Sequence, residues 1–247
     1  MLAIAVVHLK GGSGKSTLTV NLAAAAHLHR LRTIVLDLDT QATALSWSSA
    51  RREGSKLEGI AVSLAVKKSD TKVALPRLRE LSTGFDVAIL DGPAREPGIT
   101  LSAAVFADVA LIPIVPGPGD FWAFEPTRDA LDTADELRAE LGRPPVRRCF
   151  VVNAARIGTT LARDAQAEIE ANLGEYVGTV HHRVSLPLAV NRGESVFTTP
   201  ASVEAAHEIE RLWRALKGTP AHGSKLKESN QATPRRAARR GRVAVRG

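Results

Sequence analysis

Residues 10–17 read KGGSGKST, and the segments on either side decide how that string is read. Leu2 to Val7 is a short apolar run of strand type, and Leu18 to Leu28 carries a helical pattern. A glycine-rich turn between a strand and a helix is a phosphate cradle. Gly11, Gly12 and Gly14 leave backbone N–H groups around Ser13 able to converge on phosphate oxygens, the helix N-terminus adds partial positive charge, and Lys15 adds a full one. Ser16, the first hydroxyl after Lys15, is the expected direct ligand of Mg²⁺, and Thr17 the expected holder of the α-phosphate. A glycine-rich linker is the alternative, and the flanking periodicities speak against it.

A loop that holds nucleotide becomes a hydrolase only if a metal is held and a water is oriented. Two further segments supply acids for those tasks. The apolar stretch Thr33 to Leu36 ends in Asp37-Leu38-Asp39-Thr40-Gln41, which puts two carboxylates at the end of a strand. Residues 37 and 39 share one side of an extended chain, so both can face the γ-phosphate region. Phe85 to Asp91, FDVAILD, is a buried parallel-strand run closed by an acid and followed by Gly92-Pro93. It reads as a Walker B strand, with Asp91 accepting hydrogen bonds from a Mg²⁺-bound water. In isolation Asp91 could equally cap the next helix, but three motifs in this order favour the metal role.

The loop departs from the usual pattern at one place. Leu9 stands where a glycine is normal, and a second lysine, Lys10, opens the loop. This form closely resembles the ParA/MinD family of P-loop ATPases. The resemblance covers about residues 2 to 216. It implies ATP and Mg²⁺ as cofactors, Lys10 reaching across a dimer interface to the partner's nucleotide, Asp39 as the catalytic aspartate, and Asp37 as a supporter of the Mg²⁺ shell. It further implies that Asn153 contacts adenine, although a turn-forming asparagine is the other reading of that residue. The family usually has proline where Thr40 stands, a change that frees a backbone φ angle in the switch loop. Gln41 to Arg51, including Trp47, is similar to the small plasmid-type ParA proteins, and Arg192 to Val196 is similar to the family's late Gly-x-x-Val element. An ATP-dependent homodimer and a stimulating partner, ParB-like or a cargo adaptor, are implied in turn.

The chain has 247 residues, 44% of them apolar, enough for one α/β domain with a sizeable core. Strand signals fall near 2–8, 33–38, 60–66, 86–91, 108–115, 147–153 and 177–181. Helical signals fall at about 15–30, 42–53, 72–82, 98–106, 121–141, 160–173, 185–191 and 201–216. Alternation of this kind predicts a mostly parallel twisted sheet flanked by helices on both faces, and the resemblance implies that this is the deviant Walker P-loop fold. The prolines of Asp108 to Pro116 suggest that strand pairing ends there. The single cysteine, Cys149, sits in an apolar run and reads as a core residue. The pairs His27/His29 and His181/His182 lack metal-ligand spacing and read as surface or edge residues.

Charge is unevenly placed. The formal net charge is +7, yet nine basic residues against the one acid Glu228 fall from Lys217 onward, leaving the preceding body near neutrality. The tail is rich in Gly, Pro, Ala, Ser and Arg with few bulky apolar residues, so the expected division is an ATPase domain over 1–217 and a disordered basic tail over 218–247. A flexible cation favours non-specific DNA as a partner, with Arg143, Arg147, Arg148, Arg183, Arg192 and Arg214 adding a fixed surface. A tail that merely aids solubility is the alternative. No stretch approaches a membrane span, no signal peptide is evident, and the tail lacks an amphipathic apolar face. The expected location is cytoplasmic and nucleoid-associated. The expected function is ATP-driven partition or intracellular positioning, with a MinD-like membrane-surface ATPase or a metabolic, cofactor-assembly ATPase as alternatives. Relatives such as the nitrogenase iron protein and bacterial tyrosine kinases are disfavoured by the single cysteine and by Tyr176 as the only tyrosine.

Overall fold

Strands that are apolar without alternation must be covered on both faces, which is the condition a parallel sheet with crossover helices satisfies. The computed structural model describes residues 1–67, 69–117, 121–199 and 203–218. It contains β1 (Leu2–Val6), β2 (Thr33–Asp37), β3 (Ala61–Leu64), β4 (Val87–Asp91), β5 (Val109–Ile114), β6 (Arg147–Ala155) and β7 (Glu175–His181). All pair in parallel in the order β3-β2-β4-β1-β5-β6-β7. The helices are α1 (Lys15–Leu28), α2 (Thr43–Ser49), α3 (Leu75–Ser82), α4 (Pro97–Phe106), α5 (Glu125–Glu140), α6 (Leu161–Glu168), α7 (Ser185–Asn191) and α8 (Val203–Lys217). Beyond Gly218, the tail read as disordered lies outside the described residues.

Side chains alternate across the sheet and divide the core in two. Ala3, Ala5 and Val7 pack with Leu78, Ile99, Ala103, Leu131 and Ile169 beneath α3 to α6. Ile4 and Val6 face the opposite layer, with Leu18, Leu22, Trp47, Val190, Ile209 and Trp213 from α1, α2, α7 and α8. The run Ala23 to Ala26 lets α1 lie close on the sheet, and all four residues are buried. Leu212, Trp213 and Leu216 of α8 are also buried, so its apolar face is used within the domain. No helix among the described residues is long and apolar enough to cross a membrane. Cys149 is fully buried, and that burial pushes its thiol up to about 12.

Three local departures from the expected pattern have physical causes. The helix expected over 42–53 stops at Ser49, because Arg51 turns inward. Its guanidinium lies 4.6 Å from the Trp47 ring centroid and donates to the carbonyl of Ile60 at 2.9 Å. The helix expected over 160–173 is α-helical to Glu168 and then widens into a π turn over Ile169–Leu173, closed by the Gly174 N–H on the Ile169 carbonyl at 3.1 Å. Pro113 lies inside β5, and pairing ends there on one side only. Contact with β6 continues to Ile114, while contact with β1 ends at Val6 opposite Leu111.

The C-terminal end of α4 is buried against α5, and its last carbonyls need donors. Arg138, 2% exposed, donates to the carbonyls of Val105 at 3.0 Å, Ala107 at 2.6 Å and Pro144 at 2.7 Å, and Arg143 reaches Val105 at 2.6 Å. Arg138→Ala removes these charge-assisted bonds and leaves the carbonyls unpaired, so a loss of roughly 3 kcal/mol is expected in urea denaturation. Arg138→Lys, a single donor centre without the planar fork, should recover only part of it.

Candidate nucleotide-binding site

The loop Lys10 to Thr17 with Asp37, Asp39, Asp91 and Asn153 sits at the C-terminal edge of the sheet, where an open α/β fold forms its crevice. β1 is central in the strand order, so the loop that leaves it is flanked by the ends of β4 and β5. Gly12 and Gly14 take φ values of 77° and 85°, which side-chain-bearing residues rarely adopt. Gly14 is constrained a second time, because a Cβ there would lie 2.2 Å from Asn153 Nδ2. That amide donates to the Ser13 carbonyl at 2.8 Å. Asn153 thus touches the loop itself, and Ala154, held at φ 52°, turns the chain immediately after it.

Lys15 begins α1 and is 7% exposed. Its Nζ donates to the Lys10 carbonyl at 3.1 Å, bridging the two ends of the loop. Burial pulls its pKa down, and the negative charges of Asp91 and Asp39 act in the opposite direction. A desolvated cation of this kind has a strong preference for an arriving anion. Ser16 and Thr17 are half-buried on the first turn, and Lys10, Gly11 and Gly12 are exposed.

Asp37 and Asp91 stand opposite each other in the register of β2 and β4, and both are fully buried. Asp37 is held by backbone donors: Oδ1 accepts from the Asp39 N–H at 3.1 Å and Oδ2 from the Leu45 N–H at 3.1 Å. Burial raises its pKa, and those N–H groups oppose the rise. Asp91 Oδ1 accepts from the Thr19 hydroxyl at 3.3 Å, whereas Oδ2 is buried with no hydrogen-bond partner. Burial first, and then the charge of Asp37, pushes the Asp91 carboxyl up to about 7. Ser16 lies near enough to favour the ionised form but outside hydrogen-bonding geometry to Oδ2. An unsatisfied carboxylate oxygen beside a serine at the loop is a fit for the shell of Mg²⁺, which takes few direct protein ligands and keeps its waters.

Asp39 is half-buried and closes a turn: its Oδ1 accepts from the Gln41 N–H at 2.9 Å and its carbonyl from the Ala42 N–H at 2.9 Å. The turn therefore closes with Thr40 in the place of proline. Ala42, at φ 53°, opens α2 directly after it. At the far side of α2, Trp47 Nε1 donates to the Glu194 carbonyl at 2.8 Å, and the chain at Gly193 lies so close to Ala50 and Arg51 that a Cβ would meet Arg51 N at 2.3 Å. The two stretches 41–51 and 192–196 are thus one packed unit.

Beside Asn153, a cavity of about 300 Å³ is lined by Val115, Pro116, Ala154, Arg156, Leu161 and His182 among others. Thr19, His8 and Thr127 also belong to the site, and sequence reading missed them. Thr19 had a legible signal, one helical turn beyond Lys15. His8 meets the Lys10 amide from two positions away, and Thr127 reaches the loop only through a tertiary contact.

The arginines expected to form a fixed basic surface are mostly neutralised, which corrects that reading. Arg147 pairs with Glu175 at 2.6 Å, Arg148 with Asp135 at 2.5 Å, Arg183 with Glu208 at 2.5 Å and Arg214 with Glu210 at 2.7 Å. Arg143 is spent on the α4 carbonyls, and among the described residues only Arg192 of the six is exposed without an ion pair. The histidines are likewise engaged, His29 with Glu210 and His181 with Glu208, and no cluster of three metal-ligating side chains occurs among the described residues.

The raised pKa of Asp91 gives stability a definite pH dependence. Between about pH 4 and 7 the folded protein holds a proton that the unfolded chain has released. Without nucleotide, stability should be full below that window and fall as pH rises through it, with Asp37 acting in the same direction. Melting temperatures from pH 4 to 8 check this, and Asp91→Asn should flatten the profile.

The geometry agrees with what comparison with known proteins shows. The model of the CobQ/CobB/MinD/ParA nucleotide binding domain matches residues 4–199. The chain is 30% identical over 238 residues to the chromosome-partitioning ATPase Soj of Thermus thermophilus, across 85% of this chain and 92% of that one. It is also 30% identical over 213 residues to the maintenance of carboxysome distribution protein A of Halothiobacillus neapolitanus, across 85% and 93%. In fold it is similar to the Mg-ADP complex of the septum site-determining protein MinD of Pyrococcus horikoshii, with a TM-score of 0.68 at 18% identity over 87% of this chain and 96% of that one. An ATP complex of a Cyanothece McdA variant gives 0.67 at 18% identity, with the same coverage. From the matched domain and these relatives, the chain belongs to the CobQ/CobB/MinD/ParA family of nucleotide-binding proteins, with a ParA/MinD-type fold.

Proposed function

We propose that this protein is a small ParA-type ATPase that binds ATP and Mg²⁺ on the Lys10–Thr17 loop, dimerises around the nucleotide, binds DNA without sequence preference and drives partition or positioning of a cargo. The observation that carries this reading is the buried, partnerless Asp91 oxygen beside a desolvated Lys15 at the mouth of the loop. Such an arrangement favours a cation near Asp91 and an anion near Lys15, and a magnesium nucleotide supplies both. The names of the relatives, chromosome partitioning for Soj and carboxysome distribution for the second protein, support positioning as the task.

In this reading the backbone N–H groups of Gly11 to Gly14 and Lys15 hold the β- and γ-phosphates, Thr17 holds the α-phosphate, and the cavity beside Asn153 takes the base. Ser16, Asp37 and Asp91 hold Mg²⁺ directly or through its waters. When bound, the metal neutralises charge that develops on the phosphoryl oxygens. Asp39 orients the attacking water in line, and Lys15 with the partner subunit's copy of Lys10 stabilises the leaving oxygens. Hydrolysis removes the γ-phosphate that joins the subunits, and a partner on the cargo speeds that step by favouring the competent arrangement. Because the folded arginines are paired, DNA affinity rests chiefly on the nine cations from Lys217 onward, doubled in the dimer.

Turnover measured with and without duplex DNA and a cargo partner tests the whole reading. A metabolic ATPase would instead need a small-molecule co-substrate and ignore DNA. Lys15→Ala should abolish ATP binding in calorimetry. Asp39→Ala should keep binding but lower turnover about 100-fold and accumulate ATP-bound dimers, seen by light scattering.

Truncation after Gly218 should weaken binding to any duplex regardless of sequence. The slope of log K against log salt should flatten by about 0.9 for each phosphate that the shortened chain no longer neutralises. ATP hydrolysis without DNA should be unchanged, because the nucleotide site precedes the cut.

A further inference from the structure

We propose that His8 and Thr127 are positioning residues for Lys10, clamping the backbone at the mouth of the loop so that the Lys10 carbonyl turns inward to Lys15 while its side chain is presented outward. The inference deepens the ATPase reading, since it concerns the lysine proposed to act on the partner subunit's nucleotide.

The need for a clamp follows from the sheet. β1 pairs with β5 only as far as Val6 and Leu111, and the last backbone bond there is Val7 N–H to the Leu111 carbonyl at 3.0 Å. Pro113, the next β5 residue pointing toward β1, has no N–H to offer. Beyond Val7 the chain leaves the ladder, and its buried amides need acceptors from elsewhere. Two side chains supply them. The Leu9 N–H donates to Thr127 Oγ1 at 3.0 Å, from the first turn of α5, and the Lys10 N–H donates to His8 Nδ1 at 3.0 Å. The Lys10 carbonyl then accepts from Lys15 Nζ at 3.1 Å. The peptide group before Lys10 is tied to the His8 ring and the one after it to Lys15 of α1, while the peptide before Leu9 is tied to Thr127 of α5, so three successive peptide groups have fixed orientations.

Burial makes these bonds more than incidental. His8 is 1% exposed and Thr127 0%, and neither polar group lies on the surface. The His8 ring is wedged beside Phe124, with centroids 6.3 Å apart, and Phe124 packs edge-on against Phe150 at 5.2 Å. Accepting at Nδ1 requires an unprotonated nitrogen there, so the hydrogen of the neutral imidazole is on Nε2.

The test compares His8→Leu and Thr127→Val with the conservative His8→Asn and Thr127→Ser, each in the wild-type chain and in Lys10→Ala. Turnover and ATP-dependent dimer formation should fall about tenfold in His8→Leu and in Thr127→Val, with the KM for ATP changed less than about threefold. The conservative variants, which retain an acceptor, should restore most of the loss. In Lys10→Ala, adding either apolar variant should cost clearly less than it does in the wild-type chain, because the side chain that the clamp presents is missing while the backbone carbonyl that meets Lys15 remains. Additive losses in that background, equal losses in the conservative variants, or undiminished turnover in both apolar variants would overturn the proposal. Nitrogen-15 spectra of the wild-type chain read the clamp without any assay: Nδ1 of His8 should show the shift of an unprotonated acceptor near pH 7, and a protonated Nδ1 refutes it. If the wild-type chain binds no ATP, the ATPase reading has failed, and the spectrum still decides whether the clamp exists.

Discussion

Two carboxylates buried side by side at the ends of neighbouring parallel strands set the terms for the rest of this site. Asp37 and Asp91 share one register position, both without exposure, and burial raises the pKa of each. Like charges in such a place are tolerated only where donors or cations face them. Asp37 is satisfied by the amides that lead into α2, Asp91 by Thr19 on one oxygen and by the nearby charge of Lys15. The remaining oxygen of Asp91 is the one acceptor of the pair left unsatisfied.

Because Asp37 is tied to the Asp39 and Leu45 amides, the acid at the strand end also positions the switch segment that carries Asp39. That segment continues into α2, whose Trp47 is fastened to the carbonyl of Glu194 and whose end is pressed against Gly193. Asn21 of α1 accepts from the Val196 N–H at 2.9 Å, which ties the same late loop to the helix that begins at Lys15. Loop, switch and late element therefore form a closed circuit of short contacts. Residues 37–47, 193–198 and α1 are thereby joined through packed side chains and hydrogen bonds.

Much of this is legible from sequence because the information is local. A strand, a glycine turn and a helix in succession define the loop within about twenty residues, and the runs ending in Asp37 and Asp91 state their own burial through uninterrupted apolar character. Trp47 and the 192–196 stretch each stand out in the sequence, but nothing in either announces the other, since 147 positions separate Trp47 from Glu194. Asn153 reads as a strand-end residue, while its bond to Ser13 depends on a crossing of the sheet that only folding creates. The arginines show the opposite failure. Counting them suggests a basic face, yet most lie opposite acids or helix carbonyls that are distant in sequence.

The sequence by itself determined the fold class, the seven strand segments of a mostly parallel sheet and the place of the glycine-rich loop between strand and helix, because periodicity and turn chemistry act over neighbouring residues. Tertiary structure alone decided which polar groups are satisfied. Whether Asp91 keeps an unpartnered oxygen, whether Lys15 is desolvated, and what receives the amide of Leu9 are settled by β4, β5 and α5, which folding brings against the loop from far along the chain. The physical reason is that hydrogen bonds and burial act over a few ångströms in space, whereas the pattern along the chain records only the side on which a residue will lie.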